Sequence, residues 1–243
     1  MAIHYRTKAF VLEKFDLGEA DQIFTIFTED FGKLKVVGKA IRKIKSKLRA
    51  GIGLFYLSEI EFIRGKTRKT LTDAEVVEKF KNLKESPDKL EIIQKISEIT
   101  ASLIKGQEKD NKIWDLLKEA FEKTSRCFFD SNKCLLVYYY FLWNLLSILG
   151  YQIDLYFCLK CQKKLRPGNL FFNPKKGGII CCGDNSGSVE PQEEKIKISP
   201  ETVKILRLFL KRDWNILFRL KIEEKNKQEL EKISDCFLDK III

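Results

Sequence analysis

The stretch FTEDFGKLKVVGKAIRKIKSKLRAG, residues 27–51, decides the interpretation of this chain. It begins with an acidic turn, continues with the alternation of polar and apolar residues typical of a strand, and ends in a basic loop. No Asp or Glu lies between positions 33 and 49. Exposed loops usually mix both signs of charge, so this segment predicts a surface that binds a polyanion. Its eight cations are Lys33, Lys35, Lys39, Arg42, Lys43, Lys45, Lys47 and Arg49.

The composition of the whole chain supports a folded, cationic protein. The 243 residues are 44% hydrophobic and 12% aromatic, which excludes a disordered chain and allows one large or two to three small domains. The formal net charge is +11, and the first 81 residues carry +6 of it. The N-terminal residues MAIHYRTKAF lack the apolar core of a secretory signal. The longest apolar run, 135–149, is interrupted by Asn144 and is shorter than the ~20 residues needed to span a bilayer, so we expect a buried helix and no membrane partner.

The first 80 residues have the pattern of a small β-barrel. The Gly of the acidic turn, Gly32, stands where a hairpin needs a positive φ angle. Alternating and β-branched segments predict five strands, with one long connection between the third and the fourth. We favour an oligonucleotide-binding (OB) barrel over an SH3-like barrel. The predicted strands are 3–15, 21–28, 33–37, 54–64 and 70–77.

After residue 81 the pattern becomes helical. Apolar residues recur at helical spacing and are introduced by capping signals, such as Ser199 followed by Pro200. The sequence therefore predicts a multidomain α+β fold, with a five-stranded OB-fold barrel at 1–80 and an all-α domain at 81–243. A segment rich in Gly, Pro and Cys at about 154–184 interrupts the helices. The predicted helices are 90–105, 113–126, 135–149, one beginning at Ser199, and 223–242.

The seven cysteines suit a reducing cytosol and a metal site better than a disulfide framework, because their number is odd and they are clustered. Cys158-x-x-Cys161 is half of a typical zinc site, and the pair Cys181 and Cys182 follows about 20 residues later. Such a site is structural, because no general base or open catalytic position accompanies it. The other three cysteines are expected to be small buried hydrophobes: Cys127, Cys134 and Cys236.

The aromatic residues of the barrel and the single histidine are further candidates for function. Most aromatic residues of the barrel must fill its core, so at most one or two can stack on bases, with Phe31 and Tyr56 as candidates. His4, the only histidine, is expected to be structural, so the sequence offers no good candidate for histidine acid–base catalysis.

A redox enzyme using Cys158 and Cys161 would need a reactive thiolate between a strand and a helix, whereas these cysteines precede a loop rich in Lys, Gly and Pro.

Co-linear motifs resemble the RecO family of recombination mediator proteins. The resemblance implies an N-terminal OB barrel and a helical C-terminal domain with a zinc-finger-like insert. The matching motifs are AFVL (9–12), GEAD (18–21), FTEDFGK (27–33), GKAIR (38–42), KS (45–46), LTDAE (71–75), Cys158-x-x-Cys161 and GGIIC (177–181).

The resemblance also implies a function. The family's role is DNA repair without catalysis: binding single- and double-stranded DNA, annealing complementary strands, and helping to load the recombinase onto strands coated by single-strand-binding protein (SSB). RecR is the implied partner, and the helical domain is expected to receive the acidic C-terminal tail of SSB. The implied location is the cytoplasm, at the nucleoid. An RNA-binding factor of translation or RNA processing, with a barrel and a zinc knuckle, is the alternative.

This chain departs from the family at the second half of the cysteine motif. The family pattern predicts Cys at position 184, where this chain has Asp184, and the additional cysteine is Cys182. Three possibilities follow: Zn²⁺ bound by all four cysteines, Asp184 as the fourth ligand, or a knuckle held by packing without metal. We prefer Cys182 over Asp184, because a thiolate binds zinc more strongly than a carboxylate.

Overall fold

The computed structural model describes residues 3–127, 131–151, 153–181 and 195–242. The chain forms two compact units, Met1–Tyr138 and Tyr139–Ile243. The first contains β1 (His4–Leu17), β2 (Asp21–Thr28), β3 (Gly32–Gly38), α1 (Leu48–Gly51), β4 (Leu57–Arg64), β5 (Lys69–Glu78), α2 (Pro87–Leu103) and α3 (Asn111–Arg126). The unit boundary lies within α4 (Ser131–Ile148). The second unit continues with β6 (Leu170–Asn173), β7 (Gly178–Cys181), β8 (Ile196–Ile198), α5 (Pro200–Lys211), α6 (Trp214–Leu217) and α7 (Glu224–Ile242).

The first five strands close into a barrel in the order β1-β2-β3-β5-β4. β1 pairs antiparallel with both β2 and β4, and a short parallel ladder between β3 and β5 closes the barrel at Val36 and Val37. The long connection from β3 to β4 carries the short helix α1. The predicted α+β class is therefore confirmed, with a five-stranded barrel followed by helices.

Alternation along β3 separates the core of the barrel from its surface. Leu34 and Val36 are buried in the barrel core, while Lys33 and Lys35 point outward. A barrel of this size is filled by side chains, so the charged positions of each strand have to face outward. Gly32 has the expected positive φ angle of 62° in the turn before β3. Both features agree with the sequence prediction.

The fourth strand begins three residues later than predicted, at Leu57 rather than at 54. The pairing register of β1 with β2 shifts between Val11 and Glu13. At Val11, β1 forms hydrogen bonds with the segment that precedes β4. The backbone N–H of Phe55 donates to the carbonyl of Val11 at 3.0 Å, and the N–H of Val11 donates to the carbonyl of Tyr56 at 3.0 Å. Phe55 adopts a φ angle of 64°, which ends the extended conformation there.

Gly51 allows α1 to lie directly against β5. A Cβ atom at Gly51 would lie 1.8 Å from the backbone carbonyl oxygen of Ala74, so any side chain would push the two elements apart. We expect Gly51→Ala to lower the free energy of unfolding by about 1–3 kcal/mol, measured by urea denaturation. Gly106→Ala is the matched control, because the nearest atom to its added Cβ is the backbone nitrogen of Glu108 at 3.9 Å. Equal denaturation midpoints for the two variants would contradict this packing argument.

The apolar part of α4 is buried, as predicted: every residue from 136 to 146 is buried, and those from Tyr139 onwards belong to the second unit. Trp143 stacks on Phe237 with ring centroids 5.8 Å apart, and its Nε1–H donates to Ser234 Oγ at 3.2 Å. β6 and β7 of the Cys-rich insert form a sheet with β8, which follows the insert, in the order β7-β6-β8; none of these three strands is predicted from the sequence. Among the helices in the described ranges, none combines the length and apolar character needed to cross a membrane.

Candidate nucleic-acid interface and cysteine cluster

The basic loop between β3 and β4 is held in place by its two ends. Ile41 is only 2% exposed and belongs to the barrel core, and Leu48 packs against the same core. Successive turns shape the segment between them, since Lys43 N–H donates to the carbonyl of Ala40 and Ser46 N–H donates to the carbonyl of Lys43. The loop therefore presents its cations from a defined backbone.

Four predicted DNA-binding residues extend from this loop into solvent. These four residues are Lys39, Lys43, Lys45 and Lys47. None of them forms an ion pair with another described residue. Arg42 differs, because its Nη1 lies 3.3 Å from Asp16 Oδ2 and also donates to the carbonyl of Gly18 at 3.4 Å. Arg42 thus ties the loop to the β1–β2 turn, and its charge is partly compensated.

Arg42 and Arg49 line a cavity of about 460 Å³ at one end of the barrel, which we call the loop cavity. Among the described residues, no carboxylate lines it. Tyr56 forms part of its wall, and the ammonium groups of Lys84 and Lys79 lie 4.9 and 5.7 Å from the centre of the Tyr56 ring. The cations of the loop cavity are Lys14, Arg42, Arg49, Lys79 and Lys84.

The remaining two predicted cations, Lys33 and Lys35, line a second cavity of about 450 Å³ beside β3, to which Ile23 of β2, the β4–β5 turn and the connection between α2 and α3 also contribute. We call it the strand-face cavity. OB folds bind oligonucleotides on the face of their second and third strands, and both of these strands contribute residues to this cavity. Its lining also lacks carboxylates, and none of its cations forms an ion pair within the described part of the chain. These cations are Lys33, Lys35, Arg68, Lys69 and Lys105.

Positive charge in the strand-face cavity is not cancelled by its hydrogen bonds. Lys33 Nζ donates to the carbonyl of Ala101 at 2.6 Å, which is a neutral acceptor. Burial lowers the pKa of Lys33, and the charge of Lys35 adds to this effect while Glu13 opposes it. Burial also lowers the pKa of Lys69, with a further contribution from Arg64. An anion bound in this cavity would stabilise the charged form of both lysines.

Three cysteine sulfurs of the insert converge, as the zinc hypothesis requires. The Sγ atoms of Cys158, Cys161 and Cys181 all lie within 4.8 Å of one another, and those of Cys161 and Cys181 are 3.6 Å apart. Tetrahedral Zn²⁺ with Zn–S bonds of about 2.3 Å places its sulfur ligands roughly 3.8 Å apart. The donor set and the spacing therefore fit the metal.

The backbone around Cys158 stabilises a thiolate. Its side chain is 1% exposed, and the N–H groups of Lys160 and Cys181 each donate to its Sγ at 3.4 Å. Burial raises the pKa of Cys158, but hydrogen bonds from the backbone N–H groups of Cys161, Cys181 and Lys160 outweigh it and lower the pKa to about 7. Burial and the neighbouring thiols raise the pKa of Cys181 to about 12.

The other cysteine predictions have mixed outcomes. Cys182 and Asp184, the two candidates for the fourth ligand, lie outside the described residues, so the choice between them stays a prediction. Cys127 and Cys134 are buried, as expected, whereas Cys236 is only half-buried.

The single histidine, His4, lies on the barrel surface, where its Nδ1 is 2.6 Å from Glu61 Oε1.

Comparison with known proteins gives one consistent result. The model of the Recombination protein O N-terminal domain matches residues 1–80, and that of the C-terminal domain matches residues 84–241. A DNA repair protein RecO of Dehalococcoides mccartyi is 31% identical over 93% of this chain and 86% of its own length. The corresponding protein of Thermoanaerobacter sp. is 27% identical over 96% of this chain and 90% of its own. The chain therefore belongs to the RecO family.

Proposed function

We propose that this protein acts in DNA repair as a non-enzymatic mediator that binds the phosphate backbone of DNA. The observation that carries the proposal is the pair of acid-free cationic cavities on one OB-like barrel. Cations that neutralise phosphates release condensed counterions, which gives affinity for DNA of any sequence. The curated relatives cited above are named for DNA repair, which supports DNA rather than RNA as the polyanion.

Strand annealing follows from the same charges. Two complementary strands repel each other, and a protein that neutralises phosphates of both strands lowers this repulsion while leaving the base edges free to pair. The loop lysines and the two cavities supply cations to more than one segment of backbone. We therefore propose that the protein anneals complementary strands, and that it does so without making or breaking a covalent bond.

The proposed partners extend this role. The protein would act with RecR on single strands coated by SSB, receive the SSB tail on its C-terminal helical domain, and so assist loading of the recombinase in the cytoplasm, at the nucleoid. Residues Cys158, Cys161 and Cys181 would hold a structural Zn²⁺, with Cys182 or Asp184 as the fourth ligand. The metal would crosslink the insert and take no part in chemistry on DNA.

A strand-annealing assay tests the proposal. We expect the pure protein to accelerate pairing of complementary DNA strands, bare or coated with SSB, and to lose this effect as salt is raised. A competition between single-stranded DNA and RNA in the same buffer should favour DNA. Binding of DNA without faster annealing would refute the mediator role, whereas a clear preference for RNA would support the RNA-processing alternative.

A further inference from the structure

A smaller, aromatic cavity lies at the end of the barrel where β1 and β3 begin and β4 ends. Its volume is about 270 Å³, which is below the roughly 300–1,000 Å³ of sites for drug-sized ligands. A cavity of this size suits one planar ring system. Its lining consists of Tyr5, Phe31, Leu34, Phe62, Arg64, Lys69 and Gln107.

The aromatic wall of this cavity has a defined geometry. Tyr5 and Phe62 stack with their planes 19° apart and their centroids at 5.4 Å. Phe31 meets both rings edge to face, at 5.6 and 5.7 Å. Phe62 is buried, whereas Tyr5 and Phe31 are half-buried and so offer ring surface at the cavity. Aromatic rings of this kind stack bases of any sequence.

The aromatic cavity adjoins the strand-face cavity. Both are lined by Leu34, Lys69 and Gln107, and Arg64 adds a cation at the aromatic side. In the part of the chain that the structure describes, no carboxylate lines either cavity. A phosphate held by the cations of the strand-face cavity therefore lies next to an apolar space. A nucleotide has the matching arrangement, because its charged phosphate lies next to a planar base.

Gln107 supplies a polar group at the edge of the aromatic cavity. Its Oε1 accepts from Lys69 Nζ at 3.0 Å, which leaves the amide NH₂ group as a donor. The surrounding loop is fixed against the barrel, because Lys109 Nζ lies 3.2 Å from Asp30 Oδ1 and a Cβ at Gly32 would lie 2.2 Å from the carbonyl oxygen of Glu108. The amide is thus positioned to donate to a ring nitrogen or a carbonyl of a base.

From these contacts we infer that the aromatic cavity accepts a single unstacked nucleobase of a DNA strand whose phosphates lie in the strand-face cavity. The inference rests on the proposed DNA-binding function and adds to it a contact with a base. A base held there is withdrawn from stacking with its neighbours, so that one nucleotide takes no part in base pairing, whereas the other bases of the strand stay free to pair. The contact is tolerant of sequence, because it relies on ring faces and on one amide.

A comparison of two ligands tests this inference on the full-length protein. The first is a short single strand of mixed sequence. The second is the same strand without its bases, in which every sugar and phosphate of the backbone is kept. Base stacking on a protein ring contributes roughly 5- to 160-fold in affinity, and we expect the abasic strand to bind more weakly by this factor. Phe31→Leu should reduce binding of the normal strand and leave binding of the abasic strand unchanged, because Phe31 lines the aromatic cavity and not the strand-face cavity. Gln107 lines both cavities, so Gln107→Ala should instead lower the ratio of the two affinities.

The control is Phe15→Leu, which replaces an aromatic ring of β1 that is 59% exposed and does not line the cavity. Gln107 is exposed, so Gln107→Ala keeps the test valid if Phe31→Leu fails to fold. Equal affinity of the wild-type protein for the two strands would overturn the base site while leaving backbone binding intact. Failure of both strands to bind would instead refute the proposed function.

Discussion

Replacing Lys43, Lys45 and Lys47 by Glu should weaken binding of single-stranded DNA on the order of 100-fold at about 0.1 M salt. These lysines are exposed, and no carboxylate of the described residues pairs with them. Each phosphate contact on a single strand contributes about 0.7 to the slope of log K against log salt. Three lost contacts therefore remove about two decades of affinity at this salt, and the new repulsion adds to the loss.

The slope itself gives the more specific measurement. We expect the slope of log K against log salt, obtained by fluorescence anisotropy over a salt series, to become shallower by about 2 in the triple variant. Arg42 is left unchanged in this design, since its ion pair with Asp16 and its bond to the carbonyl of Gly18 hold the loop on the barrel. A variant that replaced Arg42 would combine loss of charge with loss of loop structure.

A second triple variant separates local charge from net charge. Lys112, Lys118 and Arg126 are exposed cations on α3, and their replacement by Glu changes the net charge by the same amount. We expect this control to keep most of the affinity and to retain the salt slope. If both triple variants lose affinity equally, only the overall charge of the protein matters, and the basic loop is not the DNA site.

The parts of the interface that were predicted from sequence are those with a local signal. The acid-free run containing Lys43, Lys45 and Lys47 is visible in a window of 17 residues, and Gly32 marks its turn by its position alone. Lys14, Lys79 and Lys84 carry no such signal. They line the loop cavity only because the barrel is closed, with β4 pairing on one side with β1 and on the other with β5. The same closure brings Lys69 beside Lys33.

The helical region shows the same division. The uniform burial of residues 136–146 follows from a run that is apolar on every side, and it was predicted. The sheet of β6, β7 and β8 was not predicted, because its strands are only three or four residues long. Strands of this length have too few alternations for a periodic signal. The pairing of β6 with β7 depends on the turn between Asn173 and Gly178, where Asn173 Oδ1 accepts from the N–H groups of Lys175 and Lys176.

Changing Cys161 to Ser should abolish stoichiometric zinc binding and lower the stability of the second unit by more than about 3 kcal/mol. Next to the first cysteine pair, Tyr156 and Phe157 are exposed, so this segment of the insert has less apolar packing than β6 and β7, where Phe172 and Ile179 are fully buried. A structural zinc contributes its binding free energy directly to folding. The measurements are metal content per chain and the denaturation midpoint, and a chelator should move the wild-type midpoint towards that of the variant.

Cys236→Ser is the matched control, because Cys236 lies on α7 and is not part of the cysteine cluster. It should retain one zinc per chain. Cys182→Ser and Asp184→Asn then identify the fourth ligand, since only the true ligand should lower the zinc affinity strongly. Metal affinity should also fall as the pH is lowered, because protons compete for the thiolates. If the wild-type protein binds no zinc after refolding with the metal, the cluster of Cys158, Cys161 and Cys181 is held by packing and hydrogen bonds alone.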